Sequence, residues 1–125
     1  MARAKQVTVS HENRPGMVAK IAKVLGDAKV NILNCLTTTS GTEGVTHLVV
    51  DKVNKAKKAL ANAGLVYIEA DVLCVELPNT PGALAKFSGK LAEKNINITM
   101  GYATGGEGSR KTTVVSDLDK ASGIR

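Results

Sequence analysis

A chain of 125 residues is the size of one ordinary domain or of two small units sharing an interface, and length alone does not choose between them. With 43% hydrophobic residues but two Tyr, one Phe and no Trp, the core has to be built from Val, Ile, Leu and Ala, which suits helix-on-sheet layers and disfavours surfaces that stack bases. The formal net charge of +6 comes largely from lysines scattered through helical segments, among them Lys20, Lys23, Lys29, Lys55, Lys57 and Lys58, a pattern of solvated faces rather than of a nucleic-acid surface.

Gln6 to Ser10 alternates Val7 and Val9 with polar residues, the period of a half-buried strand. Asn13-Arg14-Pro15-Gly16 is a turn, with Pro15 where a first helical turn tolerates a missing N–H. Val18, Ile21, Ala22, Leu25 and Ala28 then predict an amphipathic helix. Asn31 to Thr39 and Gly44 to Asp51 predict two strands joined at Ser40-Gly41-Thr42-Glu43, and Val53, Ala56, Leu60 and Ala63 a second helix ended by Gly64. Leu65 to Leu77 reads as one extended stretch with a bend or short break near Ala70-Asp71. Beyond it come a helix after Pro81-Gly82 carrying Leu84, Phe87 and Leu91, strands from Asn97 and from about Lys111, and the start of a helix at Asp117.

That order is a repeat. A shift of 66 residues carries Val9 onto Val75, Asn13 onto Asn79, Pro15-Gly16 onto Pro81-Gly82, Leu25 onto Leu91 and Asn31-Ile32 onto Asn97-Ile98, and further on Thr46 onto Thr112, Val49 onto Val115 and Asp51 onto Asp117. The expected architecture is therefore α+β, two tandem βαββαβ modules at residues 1–69 and 70–125. The second lacks its last strand and most of its second helix, which leaves an unpaired sheet edge.

Cys35 and Cys74 lie in apolar alternating stretches without a CxxC pair and are expected as reduced, buried thiols. No stretch approaches the roughly 18 apolar residues of a membrane span, and Met1 to Gln6 is followed by no apolar run, so a cytoplasmic protein with no membrane partner is expected. Neither the two histidines nor the two cysteines have metal-ligand spacing, and no nucleophile-and-base motif is present, so no metal, no cofactor and no catalytic activity are expected. The glycines at 105, 106 and 108 lie between two strands and not before a helix, which argues against a phosphate loop.

The chemistry concentrates at the turn before each first helix, where free N–H groups and the helix dipole attract an anion such as a carboxylate. Gly16 and Gly82 allow close approach, and the amides of Asn13 and Asn31 offer donors and acceptors for an ammonium and a carboxylate together, the two groups of a free amino acid. The plainer alternative is a turn and helix cap, with Arg14 and His11 simply exposed. The run His11-Glu12-Asn13-Arg14-Pro15-Gly16-Met17-Val18, followed by Val30-Asn31-Ile32, resembles the serine-sensing ACT domain of bacterial phosphoglycerate dehydrogenases, and the whole chain is similar to free-standing tandem ACT proteins.

The resemblance implies a ferredoxin-like fold, antiparallel sheets paired side by side, and an amino acid held between two modules by His11, Asn13 and Asn31. Arg14, Pro15, Gly16, Met17, Val18 and Ile32 would surround it. In the second copy Asn79, Thr80, Gly82, Ala83, Leu84, Asn97 and Ile98 take the matching places, but Leu77-Pro78 replaces His11-Glu12, so that site would be differently selective or empty. The function expected is allosteric amino-acid sensing by a homodimer. The rivals are a regulatory subunit acting on a partner enzyme by contact and, less favoured with Tyr102 as the sole central-strand aromatic, a nucleic-acid binder.

Overall fold

The computed structural model of the protein describes residues 2–105 and 111–118. In chain order these form β1 (Ala2–Glu12), α1 (Met17–Asp27), β2 (Ile32–Ser40), β3 (Glu43–Val50), α2 (Val53–Asn62), β4 (Val66–Pro78), α3 (Ala83–Glu93), β5 (Ile98–Thr104) and β6 (Lys111–Leu118). They divide into one unit of Lys5–Ala70 and a second of Asp71–Arg125 with Met1–Ala4, the boundary falling inside β4.

In the first unit the strand order is β2-β3-β1-β4. Val7 and Val9 of β1 and Leu48 and Val50 of β3 point to one side, where Ile21 and Leu25 of α1 and Ala56 and Leu60 of α2 close over them. The period-two and period-3.6 patterns meet in this core. The stripe on α1 is narrower than the sequence suggests: Met17, Ile21 and Leu25 are buried at four-residue spacing, whereas Ala22 is exposed and Val18 is 47% exposed. The β2–β3 connection is a two-residue hairpin, Gly41-Thr42, with Gly41 at φ 61°.

All three helices end in the same way. After α1 the Val30 N–H reaches the Leu25 carbonyl (2.9 Å) and the Lys29 N–H that of Gly26 (3.0 Å); Leu65, Gly64 and Ile96, Asn95 repeat this after α2 and α3. This is the Schellman arrangement, and it places one residue of each in left-handed backbone. Gly64 takes that geometry freely at φ 75°, whereas Lys29 (64°) and Asn95 (57°) carry side chains there. Lys29→Gly is therefore expected to raise stability by about 0.5–1 kcal/mol in urea unfolding; a fall would contradict this account of the helix end.

The second unit has the order β4-β6-β5, with Leu73 and Val75 of β4 under Phe87 and Leu91 of α3, and Ile96 closing the cluster. Four expectations need correction here. First, β4 is not a bare edge, because it has neighbours on both sides, β1 and β6, and the chain's first four residues belong to this unit. Second, the long extended stretch is there as β4, Val66–Pro78, and the two units divide at Ala70-Asp71, but no break interrupts the strand. Third, Asp117 begins no helix: it lies in β6 opposite Met100.

Fourth, the 66-residue match does not hold through the third strand. Val7 faces Leu48 and Cys35 faces Leu48, whereas Leu73 faces Ser116 and Gly101 also faces Ser116. Ser116 is 68 positions after Leu48, an offset larger by two. The two-residue hairpin of the first unit is replaced by a longer connection, since β5 ends at Thr104 and β6 begins at Lys111. An even slip keeps the pleat in phase, which is why the sequence tolerates it. Of the glycine-rich stretch, residues 106–108 lie outside the described residues.

Cys35 is exposed rather than buried, because β2 is the end strand of its order, while Cys74 is half-buried on β4; both thiols are free. Nearby apolar groups still desolvate both and push their pKa up, against a hydrogen bond with Thr37 at Cys35 and together with the Glu76 carboxylate at Cys74. Less thiolate is then present at neutral pH, so both should be alkylated by iodoacetamide more slowly than free cysteine. Glu76→Gln should speed Cys74 without restoring ordinary reactivity, burial being the larger cause; free-cysteine rates at neutral pH would contradict this. Among the described residues no helix is long and apolar enough to cross a membrane, and no cluster of metal-ligating side chains occurs.

Candidate functional site

The end of β1, the β2–β3 hairpin and the start of α1 meet at one end of the first unit. His11 stands opposite Gly44 and Glu12 opposite Glu43. Gly44 leaves room for the ring, because a Cβ on it would come within 2.6 Å of His11 Cε1 and the imidazole would have to shift. The imidazole is held at both nitrogens: Nδ1 lies 2.8 Å from the Glu12 carbonyl, and Nε2 lies 2.8 Å from Thr46 Oγ1, itself 2.9 Å from Thr37 Oγ1. A carbonyl can only accept, so Nδ1 carries the proton. In the neutral ring Thr37 then donates to Thr46 and Thr46 to Nε2, and the buried Thr46 hydroxyl is satisfied.

Asn13 clamps the turn to the hairpin. Its backbone N–H donates to the Thr42 carbonyl and its Nδ2 to the Gly41 carbonyl, both at 2.9 Å. Arg14 Nε lies 3.3 Å from Glu12 Oε2, so its guanidinium offsets one of the two facing carboxylates, Glu12 and Glu43. Gly16 (φ 91°) is the N-cap of α1, with no side-chain cap and no acidic residue in the first turn. The helix N-terminus is thus open to an anion. An open depression of ≈ 600 Å³ runs past Ser10, His11, Glu12, Thr42, Glu43, Gly44, Val45 and Val66.

Asn31 is elsewhere. It precedes β2, its N–H donating to Asp51 Oδ1 (2.9 Å) and its carbonyl accepting from the Asp51 N–H (3.1 Å). β1 and β2 both pair antiparallel with β3, so both run the same way: Asn13 follows the end of one and Asn31 precedes the start of the other. From Ile32 to Ser40 is a rise of about 26 Å at about 3.3 Å per residue. One small molecule cannot touch both amides of one module. His11, Asn13, Arg14, Pro15, Gly16, Met17 and Val18 therefore form one group, and Asn31 and Ile32 another.

The second unit repeats the turn, with Gly82 (φ 87°) as uncapped N-cap of α3. Asn79, Thr80, Ala83 and Leu84 line a recess of ≈ 150 Å³ with Leu77, Pro78 and Ala103. Leu84, 52% exposed, matches the exposed Val18. Ile98 joins Leu84 and Phe87 around a space of ≈ 300 Å³, while Asn97 precedes β5 as Asn31 precedes β2. A cavity of ≈ 520 Å³ is lined by Val75, Leu77, Pro78, Phe87, Lys86 and Lys90 beside the turn. Sequence reasoning did not single out Glu43 or Lys90: Glu43 is tied to Glu12 by strand register alone, and Lys90 matches Val24, so the repeat gave no cue.

Two βαββ-based units, each opening a glycine turn onto an uncapped helix, are the architecture of paired ferredoxin-like regulatory modules. The sequence profile of the ACT domain pair matches residues 2–119, and the chain belongs to that family. Among solved structures it is similar to protein BT0572 from Bacteroides thetaiotaomicron, at 26% identity and a TM-score of 0.89 over 97% of this chain and 83% of that one. It also resembles the regulatory subunit of aspartate kinase from Thermus thermophilus, at 19% identity and a TM-score of 0.72 over 97% and 86%. At that identity the likeness is one of fold. No curated protein matches the sequence.

Proposed function

We propose that this protein is a non-catalytic regulatory protein that binds a free amino acid between two ACT modules. The carrying observation is that Asn13 and Asn31 stand at opposite ends of one sheet, so a ligand contacted by both has to lie between one module's turn and another module's β2 start. The ligand carboxylate would meet the N–H groups after Gly16, and its ammonium the Asn31 amide and the facing carboxylates Glu12 and Glu43. His11, held at both nitrogens, serves as a fixed wall. Pro15, Met17, Val18 and Ile32 supply the apolar surround.

A homodimer provides the second module, and ligand binding locks the modules' relative orientation, which a partner reads. We place the protein in the cytoplasm. Action on a partner enzyme by direct contact is the second reading, favoured by Val66 and Ile68 of β4, 68% and 66% exposed. Asn31→Ala is expected to weaken the amino acid by about 1–3 kcal/mol in isothermal titration calorimetry, through loss of a charge-assisted hydrogen bond, with the unfolding midpoint unchanged. Equal affinity in the variant removes Asn31 from the site.

A further inference from the structure

We propose that the second unit carries a binding site of different selectivity, taking an aliphatic or aromatic carboxylate that bears no ammonium group. The inference rests on the reading above in that it occupies the second copy's turn, but it assigns that copy a separate ligand class. The ≈ 520 Å³ cavity has the size of a small-molecule site, typically about 300–1,000 Å³. Its floor is apolar, from Val75, Leu77 and Phe87, with Pro78 and Pro81 at the turn.

Among the described residues that line it, the charges are of one sign. Lys86 and Lys90 lie one turn apart on α3, and neither has an acidic partner among the described residues. Like charges at this spacing repel, and an anion between them removes the repulsion. The first unit keeps one lysine and the turn proline, as Lys20 and Pro15, but differs at other positions of this lining. Its depression holds Glu12 and Glu43, where the second copy has Pro78 at the position of Glu12; Leu77 replaces His11, and Lys90 replaces Val24. An ammonium suits two carboxylates, whereas beside two lysines it is repelled. A 2-oxo acid keeps the carboxylate and apolar body of an amino acid and lacks the ammonium, so it satisfies the second cavity and not the first.

The test is a titration of the intact protein with 4-methyl-2-oxopentanoate and, separately, with leucine, followed by NMR on the Leu77 and Phe87 resonances. The oxo acid should bind at that site about tenfold or more tightly than leucine, and Lys86→Ala with Lys90→Ala should cost about tenfold in its affinity. Both lysines are exposed, so the double variant should keep its urea midpoint. Oxo-acid binding at Leu77 and Phe87 while none of the twenty amino acids raises the Tm would leave this proposal standing and the amino-acid reading contradicted, which separates the two outcomes. Equal affinity for leucine, no response to the oxo acid, or unchanged binding in the folded double variant would overturn the proposal.

Discussion

Leu60→Ala is expected to lower the stability of the protein by about 3–4 kcal/mol, read as a fall in the urea midpoint without loss of slope. Leu60 is fully buried, and it joins α2 to Val7, Val9, Leu48 and Val50 of the sheet and to Ile21 and Leu25 of α1. At the helix's own end the Leu65 N–H bonds the Leu60 carbonyl at 3.0 Å, and Leu65 packs into the same cluster. Truncation therefore loses transfer free energy and leaves a cavity that two helices and two strands cannot all close. A change below about 1 kcal/mol would mean that α2 is not part of one cooperative core.

Gly44→Val is expected to cost about 2–3 kcal/mol and to disorder the His11 ring. The first added carbon would lie 2.6 Å from Cε1 and 2.9 Å from Nδ1, so the ring has to leave its place. It then gives up the bonds to the Glu12 carbonyl and to Thr46. A side chain at Gly44 is opposed by the imidazole that covers it and not by an unusual backbone; its φ is not among the positive ones. The Nδ1–H and Nε2 signals of His11 in NMR report this directly. Unchanged His11 resonances in a folded Gly44→Val protein would refute the contact.

These two effects lie on different levels of what the residue order reveals. The core was legible because Val7 and Val9 alternate and Ile21 and Leu25 recur at helical spacing, so each pattern names its own buried face. The Pro15-Gly16 and Pro81-Gly82 turns likewise marked where each first helix begins, and the family and fold inferred from them agree with the ACT domain pair. The third strand was less legible. Matching β-branched residues such as Val49 and Val115 at either of two even offsets keeps the same faces inward, so sequence alone did not resolve the two-residue slip that the Leu73–Ser116 register reveals.

The candidate site was legible residue by residue but not as an assembly. His11, Asn13 and Gly16 were placed on one turn, yet what fixes His11 is a partner without a side chain, Gly44, and a threonine on the next strand. The separation of Asn13 from Asn31 follows from strand direction, which requires the β1–β3 and β2–β3 pairings together. Lys86 has its match in Lys20, but Lys90 falls on Val24, so the repeat does not mark the pair; what joins them is the cavity they share with Val75, Leu77 and Phe87.

The most direct test of the sensing function is a thermal-shift series of the pure protein with each of the twenty amino acids, because a ligand that binds the native state alone raises its apparent stability by mass action. The expected result is a rise in Tm with one or a few of them that is lost in Asn31→Ala. No rise with any amino acid, or a rise that Asn31→Ala leaves intact, would contradict a ligand held between the turn of one module and the β2 start of another.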